Sequence, residues 1–247
     1  MNAKVWLVGA GPGDPELLTL KAVKALKQAE IVMLDDLVNP VVLEHCRQAR
    51  VIAVGKRGGC RSTPQAFIHR LMLRYARQGK CVVRLKGGDP CIFGRASEEA
   101  DWLTARGIEV EIVNGITAGL AGATQCGIPL TLRGVARGVT LLTAHTLDDS
   151  ALNWSALAQS GTTLVVYMGV AKLADIRDGL HAGGMSGQMP VAMIENASLP
   201  QQRECRSHLG TMLEDAAAFA LKSPAIVVIG EVVAEAALAE IALLEHG

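Results

Sequence analysis

Short apolar runs exchange with amphipathic stretches of helical length almost from end to end of the chain, and this alternation restricts the fold more than any other feature. Strands are expected near 4–10, 31–34, 51–54, 81–85 and 109–113, with helices near 16–28, 40–47, 64–78 and 96–106 between them. A strand that returns to its sheet through a helix returns parallel, so the pattern reads as βα repeats and a largely parallel sheet. The first helix carries Leu17, Leu18, Val23 and Leu26 on a recurring face, and Glu16 suits the positive end of its dipole. The third is expected to begin at Pro64, a favoured first-turn residue, behind Ser62 or Thr63 as cap.

The pattern lapses over Gly127–Gly138, a stretch rich in glycine and arginine without helical period, which reads as a linker. Strands resume near 139–143, 162–168, 190–195, 203–209 and 225–230, and a helix rich in Ala and Leu closes the chain. Pro200-Gln201-Gln202 lies between two β-like runs within Ala192–Arg206, so an antiparallel hairpin is expected there. The expected fold class is α/β, as two α/β domains, 1–133 and 134–247, with an active-site cleft between them. A chain of 247 residues, 50% hydrophobic, suffices for two such cores.

Composition excludes several functions. Basic and acidic residues balance at 24 each, so no global field favours nucleic acid or an anionic membrane. The N-terminus has no secretory pattern and no apolar stretch approaches membrane-spanning length, which reads as cytoplasmic. The six cysteines show no C-x-x-C spacing and the six histidines no H-E-x-x-H; small buried thiols are expected, and no metal.

Two expected strands end in glycine-rich turns closed by aspartate: Gly9-Ala10-Gly11-Pro12-Gly13-Asp14 and Lys86-Gly87-Gly88-Asp89-Pro90. Glycines at a strand end let the backbone take positive φ and approach a ligand closely. A nicotinamide-dependent oxidoreductase is superficially allowed, but Asp14 stands where the dinucleotide fingerprint needs its last glycine. There is no phosphate-binding G-x-x-x-x-G-K-[ST] either; Gly55-Lys56-Arg57 lacks both the upstream glycine and the following hydroxyl.

The order of motifs is more specific than any one of them. VWLVGAGPGDPELLTLKA, GKRGG, VVRLKGGDPCIFGR, NGITAGLAGATQCGIPLT, VVYMG and PAIVVIGEVV follow one another over essentially the whole chain. The series resembles the tetrapyrrole methyltransferases that use S-adenosylmethionine, and within that superfamily it looks most like the members acting on uroporphyrinogen III. Departures are Ala96-Ser97 where the family commonly has Gly-Gly, Asn114 where it has Pro, and Leu132 where a histidine is frequent, which removes a histidine there from consideration.

The resemblance implies a two-domain fold, usually a homodimer, with S-adenosylmethionine as methyl donor and S-adenosylhomocysteine as product. It places the donor contacts on Pro12, Gly87, Gly88, Asp89, Ile92, Thr117, Ala118, Met168, Ala197 and Ala225. For Met168 the alternative is a core residue at a strand end, and for Gly87-Gly88-Asp89 a tight turn with Asp as cap. The implied substrate, uroporphyrinogen III, carries eight carboxylates, so a neutral protein must gather cations locally. Lys56, Arg57, Lys86 and Arg133, with His145, are the expected substrate contacts; Arg61 and Arg137 read as ordinary exposed cations.

The implied reaction is methylation at C2 and C7 to give precorrin-2, in an in-line transfer to carbon that ends with loss of a proton. Candidates for the base are Asp35 at the end of the second strand and Glu98 one turn after Arg95, with Arg95 orienting the macrocycle. A strand-end carboxylate bonded to backbone and a solvated helix-start carboxylate are the structural alternatives for the two acids. Rival functions are methylation of a later precorrin, the oxidoreductase, and a tetrapyrrole carrier without turnover.

Overall fold

The computed structural model describes residues 4–55, 63–145 and 152–234. The chain folds as two compact units, divided after Thr117. The first unit holds β1 (Lys4–Gly9), α1 (Leu20–Gln28), β2 (Ile31–Leu34), β3 (Arg50–Ala53), α2 (Gln65–Arg77), β4 (Val82–Lys86), α3 (Ala96–Thr104) and β5 (Glu109–Val113). Its strands form one parallel sheet in the order β3-β2-β4-β1-β5, as the βα alternation requires.

Both faces of this sheet are covered, so most residues of its central strands β2, β4 and β1 are buried. Val8, Val83 and Leu85 pack with Ala22 and Leu26 of α1 on one face. Leu7, Met33 and Val82 pack with Met72 of α2 and Leu103 of α3 on the other. Leu26, Met72 and Leu103 are fully buried, each stabilising the fold by about 1.5–3 kcal/mol through burial.

The helix expected over 16–28 is two elements. Asp14 caps a 3-10 turn, Pro15–Leu17, by accepting from Glu16 N at 2.8 Å. Thr19 then caps α1 through Ala22 N at 3.1 Å, with Leu18 extended between the two. Pro40–Cys46 is likewise 3-10, capped by Asn39. Pro64 is itself the cap position of α2 and makes no side-chain cap bond, while the Thr63 hydroxyl donates to Gly55 O at 3.3 Å. Ser62 lies outside the described residues.

The second unit contains α4 (Ala118–Gln125), β6 (Val139–Thr143), α5 (Trp154–Ala158), β7 (Thr163–Tyr167), α6 (Leu173–Ala182), β8 (Pro190–Glu195), β9 (Arg203–His208), α7 (Met212–Phe219) and β10 (Ala225–Ile229). Its sheet, in the order β6-β7-β10-β8-β9, is mixed rather than parallel, since β6–β7 alone is a parallel pair. The connection between β8 and β9 is too short for a crossover and makes the expected hairpin, with Ala192 opposite Arg206.

The division after Thr117 comes before the expected 133/134 boundary, because α4 packs on β7 and β10. Residues 127–138, expected as a linker, include a closed turn in which Leu132 bridges Ala136. The closing helix expected from composition lies largely outside the described residues.

Candidate active site

At the carboxyl edge of the first sheet the ends of β1, β4 and β5 interlock through glycines. Ala10 N donates to Lys86 O at 2.8 Å, and Gly11 and Gly88 exchange hydrogen bonds at 3.2 and 2.7 Å. A Cβ on Gly9 would lie 2.6 Å from both Gly115 N and Gly88 O, and one on Gly115 would run into Gly88 O. Only backbone fits there, so the three strand ends pack directly against one another.

Asp89 ties the arrangement together. It is 7% exposed, accepting from Cys91 N at 2.8 Å through Oδ1 and from Gly115 N at 3.0 Å through Oδ2. It therefore closes the turn, as the structural alternative held, and any donor contact adds to that role. Asn39 joins the neighbouring loop, donating from Nδ2 to Gly13 O at 2.8 Å.

Beneath the turns lies a buried charge network that sequence reasoning missed. Arg84 and Lys86 point from the wholly buried β4 toward Glu99 of α3, which is 0% exposed. Glu99 accepts from Gln65 Nε2 at 2.7 Å, Arg84 Nε at 3.4 Å and Lys86 Nζ at 3.1 Å. Gln65 also lies 3.2 Å from the ring of His69. Burial pushes the Lys86 ammonium below its usual pKa, against the pull of Glu99. Burial likewise lowers His69. Lys86 thus departs from the expected substrate contact, because its charge is shielded and committed to Glu99.

Arg84 extends this network to Asp35. Its Nη2 donates to Asp35 Oδ2 at 3.0 Å, while Asp36 N donates to Oδ1 at 3.1 Å. The Asp35 side chain stays 35% exposed at the end of β2, a carboxylate fixed in place yet open to solvent.

Arg95 and Glu98 meet each other. Arg95 precedes α3 with φ 58° and forms a forked pair, Nε to Oε1 at 3.0 Å and Nη2 to Oε2. The Arg95 bond holds the Glu98 carboxyl below its usual range, which weakens it as a base. Phe93, also left-handed, is 40% exposed beside half-buried Ile92.

In the second unit Met168 and Ala197 lie on the loops that follow β7 and β8, while Ala118 begins α4 and Ala225 begins β10. Met168 follows β7 with φ 54° and is 50% exposed, which removes the reading of it as a core residue. Asn196 and Ser198 are left-handed at φ 53° and 65°, flanking buried Ala197, and Ala225 opens β10 alongside. Non-glycine residues in this region cost energy and gather at functional sites. At the start of α4, Gly119 N donates to the Tyr167 hydroxyl at 2.9 Å, and a Cβ there would strike that ring. Arg133, in the 132–136 turn, is exposed, as are Arg137 and His145, whose backbone bonds to Thr143.

Lys56, Arg57 and Arg61 lie outside the described residues. The described cysteines range from buried Cys46 and Cys126 to exposed Cys91. Among the described residues no cluster of His, Cys, Asp or Glu is placed to hold a metal. A signal for the missed network existed: two cations spaced i, i+2 within Val82-Val83-Arg84-Leu85-Lys86 must find partners if that strand is central.

The sequence profile described as Tetrapyrrole (Corrin/Porphyrin) Methylases matches residues 4–213. The uroporphyrinogen-III C-methyltransferase of Pseudomonas aeruginosa is 75% identical over 94% of this chain and 95% of its own length. Its counterpart in Pseudomonas fluorescens is 72% identical over 94% of each. A crystal structure of uroporphyrin-III C-methyl transferase from Thermus thermophilus, complexed with S-adenyl homocysteine, is 40% identical with TM-score 0.81, covering 93% of both chains. The chain belongs to the tetrapyrrole (corrin/porphyrin) methylases.

Proposed function

We propose that the chain methylates uroporphyrinogen III at C2 and then C7, consuming two S-adenosylmethionine and giving precorrin-2 and two S-adenosylhomocysteine. The observation that carries this reading is the 75% identity to the P. aeruginosa enzyme over 94% of the chain. The likeness to the T. thermophilus enzyme complexed with S-adenyl homocysteine supports the donor. The product feeds sirohaem, cobalamin or haem d1 synthesis.

The residues present suit such a donor. A sulfonium favours apolar contacts, close backbone approach and no free cation nearby. The glycine turns carry no side chains, Lys86 is neutralised by Glu99, and Met168 offers an exposed, polarisable side chain. On this reading the donor contacts are Pro12, Gly87, Gly88, Asp89, Ile92, Thr117, Ala118, Met168, Ala197 and Ala225. Bound S-adenosylmethionine supplies an electrophilic methyl group.

Arg95, with Arg133, His145, Lys56 and Arg57, recognises the carboxylates of the substrate. Each methylated ring must shed one proton to restore conjugation. We assign the acceptor role to Asp35, which Arg84 and Asp36 N hold in place at the end of β2 while its side chain remains partly accessible. Glu98, already engaged, orients Arg95.

We read the protein as a cytoplasmic homodimer, a state that light scattering reports directly; no helix among the described residues is long and apolar enough to cross a membrane. The activity is tested with uroporphyrinogen III and methyl-labelled donor. Two labels per tetrapyrrole and precorrin-2 absorbance are expected, and a tetrapyrrole without label sinks the assignment. Methylation confined to a later precorrin would move the chain to another step within its family.

A further inference from the structure

Glu195, the last residue of β8, is a carboxylate only 6% exposed and absent from the donor and substrate contacts above. Its Oε1 accepts from Asn196 Nδ2 at 3.2 Å, and its Oε2 from Arg203 Nη2 at 2.7 Å and Lys222 N at 2.9 Å. These partners come from the turn after β8, from β9, and from the loop entering β10. Because β8 and β10 are antiparallel, with Glu195 opposite Ala225, the exit of one strand lies beside the entrance of the other. Asn196 N closes the same junction by donating to Pro224 O at 3.0 Å.

Arg203 is fixed in turn. Its guanidinium lies 4.3 Å from the Phe219 ring centre and donates from Nη1 to Phe219 O at 3.4 Å. The geometry is that of a clasp: one buried carboxylate holds 196–198 and 222–225 in register, including a turn with two non-glycine residues at positive φ. Without the clasp, Asn196 and Ser198 have reason to relax toward ordinary φ, which would move the Ala197 peptide between them.

We propose that Glu195 is a positioning residue for the methyl donor, acting through Arg203 and Asn196 to set the backbone at Ala197 and Ala225. This rests on the reading that those two alanines contact the donor. It deepens that reading by assigning donor affinity to a side chain that does not itself touch the donor. A carboxylate is required because every facing group is a donor; a glutamine would turn an N–H toward Arg203 or Lys222 N.

The test is calorimetric titration of the full-length protein with S-adenosylhomocysteine, beside thermal melts and donor-dependent kinetics. Ala197→Leu checks the underlying reading, because a bulky side chain in a donor loop must weaken binding. Glu195→Gln is expected to weaken binding about tenfold, the scale of a lost hydrogen bond to a charged group. It should raise KM for S-adenosylmethionine while leaving kcat at saturating donor within about twofold. Arg203→Lys keeps the charge and should fall between wild type and Arg203→Met, which keeps the test open should Glu195→Gln fail to fold.

If Ala197→Leu binds like wild type, the donor assignment of this loop fails. If Ala197→Leu weakens binding while Glu195→Gln or, where that variant does not fold, Arg203→Met only lowers the melting temperature, the clasp is structural and the proposal is overturned.

Discussion

Replacing Glu99 by alanine probes the buried network most directly. The substitution removes the acceptor of Gln65, Arg84 and Lys86 at once. Arg84 keeps Asp35 at 3.0 Å and the carbonyls of Met33 and Leu85 at 3.4 Å, so the larger loss falls on Lys86, which is 4% exposed. Breaking a buried pair from one side costs about 3–5 kcal/mol. Lys86 has one escape, which is to lose its proton.

Against its usual pKa of 10.5, neutralising that lysine costs at most about 4.8 kcal/mol at pH 7 and about 2 kcal/mol at pH 9, at 1.36 kcal/mol per pH unit. The sign follows from a lowered folded pKa: between that value and 10.5 the unfolded chain binds more protons, so stability rises with pH. Urea unfolding followed by circular dichroism should show Glu99→Ala losing about 3–5 kcal/mol at pH 7 and clearly less at pH 9. Glu99→Leu combined with Lys86→Met should recover most of the loss, since both halves of the pair are gone. A loss below about 1 kcal/mol at pH 7, or one equal at both pH values, would refute the assignment of a charged Lys86 held by Glu99.

Three further outcomes are expected. Gly115→Ala drives a Cβ into Gly88 O and should cost about 1–3 kcal/mol, lowering the melting temperature by several degrees; an unchanged melt would mean the three strand ends are not interlocked. Asp35→Asn should cut kcat by about 10²–10⁴ while S-adenosylhomocysteine binds as before, and retained turnover would pass the base role elsewhere. Arg95→Met breaks an exposed pair worth under about 1 kcal/mol, so the melt should barely move while uroporphyrinogen III turnover falls; equal turnover would remove Arg95 from the substrate contacts.

Most elements were legible because both periodicities are strong: every expected strand is present within a residue or two. The misses have local causes. Asp14 and Thr19 are both good caps, and the chain uses both, which divides the first helix. Parallel and antiparallel strands share one apolar pattern, so the mixed second sheet could be read only at its hairpin. Residues 127–138 lack a period yet contain a closed turn, because glycine content reports turns and boundaries alike.

At the candidate site, the glycine turns and the Arg95–Glu98 spacing were visible in the sequence. The partners of Arg84 and Lys86, and those of Glu195 beyond Asn196, were not, since these bonds join residues from different elements. The half-exposed, left-handed placement of Met168 has no sequence signature either, for methionine at a strand end is usually core.

The place of β10 has a consequence for synthesis. In the first unit the last strand, β5, joins an edge, so that sheet is complete once residue 113 has left the ribosome. In the second, β10 enters the centre, pairing with β7 on one side and β8 on the other, and it comes last. Until residues 225–229 emerge, two apolar strands stand with open hydrogen-bonding edges, each a template for the wrong neighbour. A nascent chain stalled or cleaved before Ala225 would thus carry a complete first sheet and a second with the edges of β7 and β8 open to association.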